Sequence, residues 1–388
     1  MTSDRALRRQ IRSLRAFAAL TYPFACVPFL WFWFQAHGVG NAEYGLVIGI
    51  YYAVMVVAEV PTGMLADRFG RRPMLIAGPL LLSAGFLVIW ARPDLLGFGV
   101  GEALLGLGHS VLSGPPAALL YESLERRSLA HEYHRHEAIA NTLRLLGTAG
   151  SFLLGGVLVA LHGMPAAILA TAALCACAAI AGATVRESGG RAMQTGEMRA
   201  TLRDAWHEFR DPAVRWIGAY YVVLFCLLRF PFHTYQPYLA RAGLAEPLFV
   251  GGLFCALNVV AAPFSRMTPW FVARFGHRPM FWMMPALIAA SLLLMAGDRG
   301  ALGIALFFLH QIPFGTHWAI VHDWINHRIR TRSRATVLST NSFAGRIAFG
   351  ALFPLVLLLD DIALAYRVVG IAGLVATALV MARMPRTG

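Results

Sequence analysis

Apolar residues come in long blocks along this chain, separated by short stretches rich in Arg and Gly. A bilayer crossing takes about 20 consecutive apolar residues. On that measure the blocks predict twelve helices, over 16–36, 42–62, 73–91, 95–121, 137–161, 164–184, 213–239, 247–268, 279–297, 301–322, 335–358 and 362–382. They fall as six plus six around the longest polar stretch, 185–212. The pattern therefore predicts an all-α membrane protein with an N-terminal bundle over 1–184, a linker over 185–212 and a C-terminal bundle over 213–388. Arg, Trp and Phe residues at 199–210 also permit the linker to form an amphipathic helix on the inner leaflet.

Polar residues are sorted among these crossings. Crossings 3, 6, 9 and 12 carry almost none; the strongest group in crossing 9 is Ser291. Crossing 4 carries Glu102 and His109, crossing 7 carries Arg229, His233, Tyr235 and Gln236, and crossing 10 carries His310, Gln311, His317 and Trp318. Crossing 1 adds Tyr22, Trp31, Trp33 and Gln35. Ionisable groups are costly in hydrocarbon, so crossings 1, 4, 7 and 10 are expected to surround a wet interior. Glu102 and His109 are seven residues apart, as are His310 and His317, which puts each pair on one helical face. At about 1.5 Å per residue, Glu102 lies roughly 10 Å and His310 roughly 13 Å from the outer boundary, and Arg229 roughly 24 Å from the inner one. The expected site is a Glu102–Arg229 interaction with His233 and His310 nearby, and with Trp33, Gln35, His109, Gln311 and His317 around it.

Composition strengthens the membrane reading and fixes an orientation. The chain is 58% hydrophobic and 14% charged, against about 25% charged in a soluble domain. Its net charge of +13 would suggest nucleic acid in a soluble protein, but all 33 basic residues are Arg and they cluster between apolar blocks. Of these, 25 fall in the N-terminal segment, the even-to-odd loops and the C-terminal segment, against Arg92, Arg241, Arg299 and Arg367 on the other side. Both termini are thus expected in the cytoplasm, with the first apolar block serving as an uncleaved crossing of a cell inner membrane.

The loop after crossing 2 reads Gly63-Met64-Leu65-Ala66-Asp67-Arg68-Phe69-Gly70-Arg71-Arg72, and a shorter echo, Ala273-Arg274-Phe275-Gly276-His277-Arg278, recurs 206 positions later. Glu122 at the end of crossing 4 is echoed by Asp323, and Arg144 in crossing 5 by Arg346. A repeated plan of this kind marks a duplicated bundle. The loop resembles the signature of the major facilitator superfamily of secondary transporters. That resemblance implies two pseudo-symmetric six-helix bundles and alternating access to a central site lined by helices 1, 4, 7 and 10. It further implies a cytoplasmic gate in which Gly63, Asp67, Arg68, Gly70, Arg71, Arg72 and Glu122 take part by position, with Arg144, Asp323 and Arg346 as their repeat partners. In the second copy Ala273 stands where the Asp would be and Pro269 where the first Gly would be, so the charge latch is expected to be lost there.

Gly155-Gly156, preceded by Gly147 and Ser151, resembles the antiporter signature of proton-driven exporters, although Ser151-Phe152 replaces its Gly-Pro. Close helix packing explains the glycines equally. His131, His134 and His136 lie in an Arg-rich loop without the ligand spacing of a metal site, and the five Cys all lie in apolar runs. No nucleotide-binding loop or hydrolase motif is present, so the expectation is no enzyme, no metal and no cofactor. The function expected is proton-coupled export of a small organic molecule by a monomer, with uptake of an organic anion or metabolite as the alternative and a non-transporting scramblase or receptor as the rival class.

Overall fold

The computed structural model describes residues 2–187, 210–297, 300–328 and 334–385. Most of the expected linker, with its amphipathic residues at 199–209, lies outside the described residues. The described helices are α1 (Thr2–Thr21), α2 (Leu30–Ala36), α3 (Asn41–Phe69), α4 (Arg72–Ala91), α5 (Leu95–Leu112), α6 (Pro115–Glu125) and α7 (Tyr133–His162). They continue as α8 (Met164–Thr184), α9 (Pro212–Arg241), α10 (Pro247–Phe275), α11 (His277–Gly297), α12 (Ala301–Arg328), α13 (Arg334–Leu357) and α14 (Ile362–Ala382). Among the described residues eleven helical spans are long and apolar enough to cross a membrane, one for each expected crossing from the second to the twelfth.

The first crossing differs from expectation because it is broken. Residues Tyr22–Cys26 leave the helix, a short 3-10 turn follows at Val27–Phe29, and α2 resumes at Leu30. Pro23 and Pro28 remove backbone donors, and the break's polar groups are satisfied by side chains. Thr171 accepts from the Cys26 N–H at 3.0 Å, and the Thr148 hydroxyl donates to the Tyr22 carbonyl at 3.1 Å. Unwound backbone at membrane depth is tolerated only where protein or a wet cavity meets its hydrogen-bonding needs.

Helix ends follow local chemistry. Asp211 and Asp361 cap α9 and α14 through the N–H groups of Ala213 and Ala363, each at 2.7 Å. Gly70 (φ 91°) and Gly276 (φ 77°) end α3 and α10 in the left-handed region that favours glycine. The two turns are much tighter than the sequence suggested: Gly63, Asp67 and Arg68 are all still helical, since α3 runs on to Phe69.

The chain forms two compact units. One is built from Met1–Glu43, Ile50–Ala192 and Ala245–Asn258, the other from Tyr44–Gly49, Met193–Leu244 and Val259–Gly388. In the first, α4 packs against α5 and α8, and α1 against α7 and α8. Gly147 and Gly155 of α7 sit directly on the carbonyls of Ala19 and Ala25, and Gly156 backs onto Gly251. In the second, α11 packs against α14 and α12, and α9 against α13 and α14.

Asp94 caps α5 outside the crossings, accepting from the Gly97 N–H at 2.7 Å and from Arg92 Nε at 2.9 Å. These bonds, the first above all, hold its carboxyl below the usual Asp range. A depressed folded pKa gives stability that is complete above the unfolded value and is lost as pH falls through the folded one. Asp94→Ala should therefore lower the melting temperature by a constant amount from neutral pH down to about pH 4, and the difference should shrink in stronger acid. A difference independent of pH would remove the carboxylate's role.

Candidate functional site

In the first unit the polar residues gather at the break. Tyr22 is stacked on His109 of α5 at 5.6 Å, and Phe24 and Tyr51 complete an aromatic box around that imidazole at 5.7 and 5.5 Å. His109 Nδ1 lies 2.9 Å from the Leu105 carbonyl. The Arg144 guanidinium sits 5.9 Å above Tyr22 and pairs with Glu137 at 3.6 Å. Arg144 is thus in the middle of α7 beside His109, rather than at the cytoplasmic end where a gate residue was expected. Glu102, two turns from His109 on α5, is 4% exposed, and its carboxylate is close enough to the Cys26 thiol to interact with it. A buried carboxylate within electrostatic reach of the break is a place where a proton can be held or released.

One residue expected here, Trp33, is engaged elsewhere. Trp33 donates from Nε1 to the Ile89 carbonyl of α4 at 3.4 Å and packs on His37 at 4.0 Å, so it fastens α2 to a supporting helix. Gln35 is half-buried, with its Nε2 buried and lacking a hydrogen-bond partner.

The second unit divides its polar residues between two sets of neighbours. His310 is 2% exposed and lies between the Tyr235 hydroxyl of α9, 2.8 Å from Nδ1, and the Ser291 hydroxyl of α11 at Nε2. Gln311, also buried, donates to the Phe307 carbonyl at 3.1 Å and reaches Tyr235 as well. These two therefore serve the packing of α9, α11 and α12, a correction to the expected wet face, and the little Ser291 of crossing 9 is what draws His310 inward. Arg229, His233 and His317 form the other set. Arg229 lies 5.4 Å above Phe225, and His233 is stacked on Phe349 at 5.5 Å. His317 Nδ1 lies 2.9 Å from the Phe314 carbonyl, and its ring is within electrostatic reach of Arg229.

At the loop between α3 and α4, Arg71 Nη1 pairs with Glu122 Oε1. Arg72 donates from its backbone N–H to Glu187 at 2.8 Å and from Nη2 to the Ala183 carbonyl at 2.9 Å. Asp67 is half-buried in the last turn of α3 and has no ion-pair partner among the described residues, and Arg68 reaches only the ring of Phe69. The second copy holds a pair of a different kind: His277 Nε2 lies 2.8 Å from Asp323 Oδ2. His277 stands 277 − 71 = 206 positions after Arg71, so the repeat of the pair was present as an imidazole. His136, one of the three loop histidines, is held by Arg15 at 3.0 Å and Glu132 at 3.3 Å.

Comparison with known proteins fits this geometry. Over 103 residues the chain is 32% identical to the inner membrane transport protein YajR of Escherichia coli (strain K12), a stretch covering 26% of this chain and 21% of that one. Its fold matches the nucleoside transporter NupG with a TM-score of 0.74 at 14% identity over 100% of both chains. It likewise matches an inward open conformation of the xylose transporter XylE from E. coli, with a TM-score of 0.72 at 14% identity over 96% of this chain and 95% of that one. At such identities the likeness concerns the fold. The family profile of the Major Facilitator Superfamily spans residues 14–354, and with it the loop signature, the repeat and the broken first crossing; the chain is a multi-pass membrane transporter of that superfamily.

Proposed function

We propose that this protein is a proton-coupled exporter of a small amphipathic organic molecule, working as a monomer in the cell inner membrane with both termini in the cytoplasm. Its halves are read as 1–184 and 213–388 with 185–212 as the connecting linker, and they alternate access to a shared polar site. The observation that carries the reading is Glu102, a buried carboxylate within electrostatic reach of Cys26 in the unwound stretch of the first crossing. Loading it with a proton changes the charge of the site without moving any backbone, which biases a two-state carrier toward the state that prefers the neutral form. His109 and Arg144, on the same aromatic box, are the groups to which that change is passed. The Gly155-Gly156 pair and the Arg71–Glu122 pair support a molecule whose helices repack and whose cytoplasmic ends are held by charge.

Reconstitution into liposomes with an imposed pH gradient tests this. Flux of a transported compound by the wild type should follow the gradient, and Glu102→Gln should exchange the compound only down its own gradient. An unaltered pH response in Glu102→Gln would pass the coupling role to another group. A second reading, uptake of an organic anion, is favoured by Arg229, a half-buried cation in the middle of α9. It is distinguished by substrate accumulating on the side that protons enter rather than on the side they leave.

A further inference from the structure

We infer that the seam between α9 and α14 binds an anionic phospholipid, with Arg215 and Arg383 on its phosphate and an acyl chain in the apolar groove below them. The orientation read above makes this a lipid of the inner leaflet. The binding itself depends neither on the direction of transport nor on coupling to protons.

α9 begins at one end of the second unit and α14 returns to that end, which brings Arg215 and Arg383 to one level. Both line a cavity of about 540 Å³, together with Trp216, Ala219, Leu379 and Val380. Its floor is fixed, because Trp216 donates from Nε1 to the Val380 carbonyl at 2.8 Å and packs against Trp324 at 5.2 Å. Arg215 and Arg383 are exposed, and neither has an ion-pair partner among the described residues. The acids at this end, among the same residues, are engaged elsewhere: Asp211 caps α9 through the Ala213 N–H, and Asp323 lies against His277. Two cations that share a cavity with no carboxylate between them favour an anion, and guanidinium forks match phosphate oxygens.

One turn deeper on both helices a second cavity begins, of about 310 Å³. Its walls run from Val222 to Phe230 on α9 and from Ala376 back to Val368 on α14, and Leu352 of α13 stands at its side. Eight residues of helix span about 12 Å. That compares with about 15 Å for one leaflet, half of a hydrocarbon core of about 30 Å. Every residue of the lining is apolar, and Leu352 and Val368 are exposed, so the groove is open along its side. α14 carries no charged residue between Arg367 and Arg383, which leaves hydrocarbon as the medium the groove opens on. A free anion satisfies the first cavity alone and a neutral chain the second alone. An anionic phospholipid fills both, with its phosphate at the membrane surface and its chain running inward.

The test is native mass spectrometry of the full-length protein, delipidated in dodecyl maltoside and titrated with dioleoyl phosphatidylglycerol, dioleoyl phosphatidylcholine or glycerol phosphate. Phosphatidylglycerol should bind more tightly than phosphatidylcholine, and its advantage should shrink in about 1 M salt. Arg215→Ala and Arg383→Ala should each weaken phosphatidylglycerol about fivefold, and both together about 30-fold, with phosphatidylcholine unchanged. Arg215→Lys with Arg383→Lys keeps the charge and should keep most of the preference. Ala372→Phe fills the groove without touching either cation and should weaken both lipids alike. Melting temperatures without lipid check that each variant is folded. Equal affinity for the two lipids, phosphatidylglycerol binding unchanged in the double Ala variant, or glycerol phosphate binding as tightly as the lipid would overturn the site, whatever the liposome flux shows.

Discussion

Gly155→Val should leave little folded protein in the membrane, whereas Gly150→Ala on the same helix should be tolerated. Gly155 lies on the carbonyl of Ala25, and any Cβ there would overlap that oxygen and approach the carbonyl carbon. The obstacle is backbone, and it cannot give way. The Ala25 residue is fully buried, and the next N–H is fixed to Thr171, whose own hydroxyl is tied to the Ala167 carbonyl at 2.8 Å. Overpacking a close-packed core costs about 1–3 kcal/mol when neighbours can shift, and more when they cannot. That is a large share of a total stability of about 5–15 kcal/mol. Gly150 has open space where its Cβ would be, so alanine there should gain the helix preference of roughly 0.8–1 kcal/mol over glycine. Fluorescence-detected size exclusion and melting temperature in detergent compare the two. A wild-type melting temperature for Gly155→Val would mean that α7 does not seat on the break as described.

The same break marks where sequence reasoning stopped short. Counting apolar residues finds a crossing by its transfer energy and is blind to whether the backbone inside it stays helical. Pro23 and Pro28, five residues apart inside one apolar block, were the available signal. Eleven other crossings were legible because length and apolarity are what a bilayer selects. Among the polar residues, periodicity puts His310 and His317 on one helical face, but seven residues are two turns of depth, and the neighbours differ between the two levels. It is the Ser291 hydroxyl on an otherwise apolar helix that turns His310 away from His317's surroundings. The second charge pair was hidden for a different reason. Matching residue types saw Ala273 in place of the Asp and took the latch as absent, while the contact itself is made by His277 and Asp323, offset by 206 and 323 − 122 = 201 positions from Arg71 and Glu122. Arg346 was legible as a repeat of Arg144, and the approach of Gly345 to Phe225 sets it beside α9.

A double-mutant cycle on Arg71 and Glu122 should give a coupling of about 1–3 kcal/mol in stability. The two side chains are 26% and 16% exposed, so water screens them less than a surface pair. Glu122 also has one oxygen, Oε2, buried without a hydrogen-bond partner. Removing Arg71 alone therefore leaves an uncompensated carboxylate, and Arg71→Ala should be worse than Glu122→Gln, which leaves a guanidinium free to reach water. The exchanged variant Arg71→Glu with Glu122→Arg should recover part of the loss. The cycle on His277 and Asp323 supplies the contrast, because these side chains are 30% and 41% exposed and the pair is charged only while the imidazole is protonated. Its coupling should be smaller, because water screens this pair more. Equal couplings would mean that exposure to water does not set the strength of the two pairs. If they differ as expected, the duplicated loops do unequal jobs: a shielded ion pair steadies the first unit, and a more exposed and weaker pair the second.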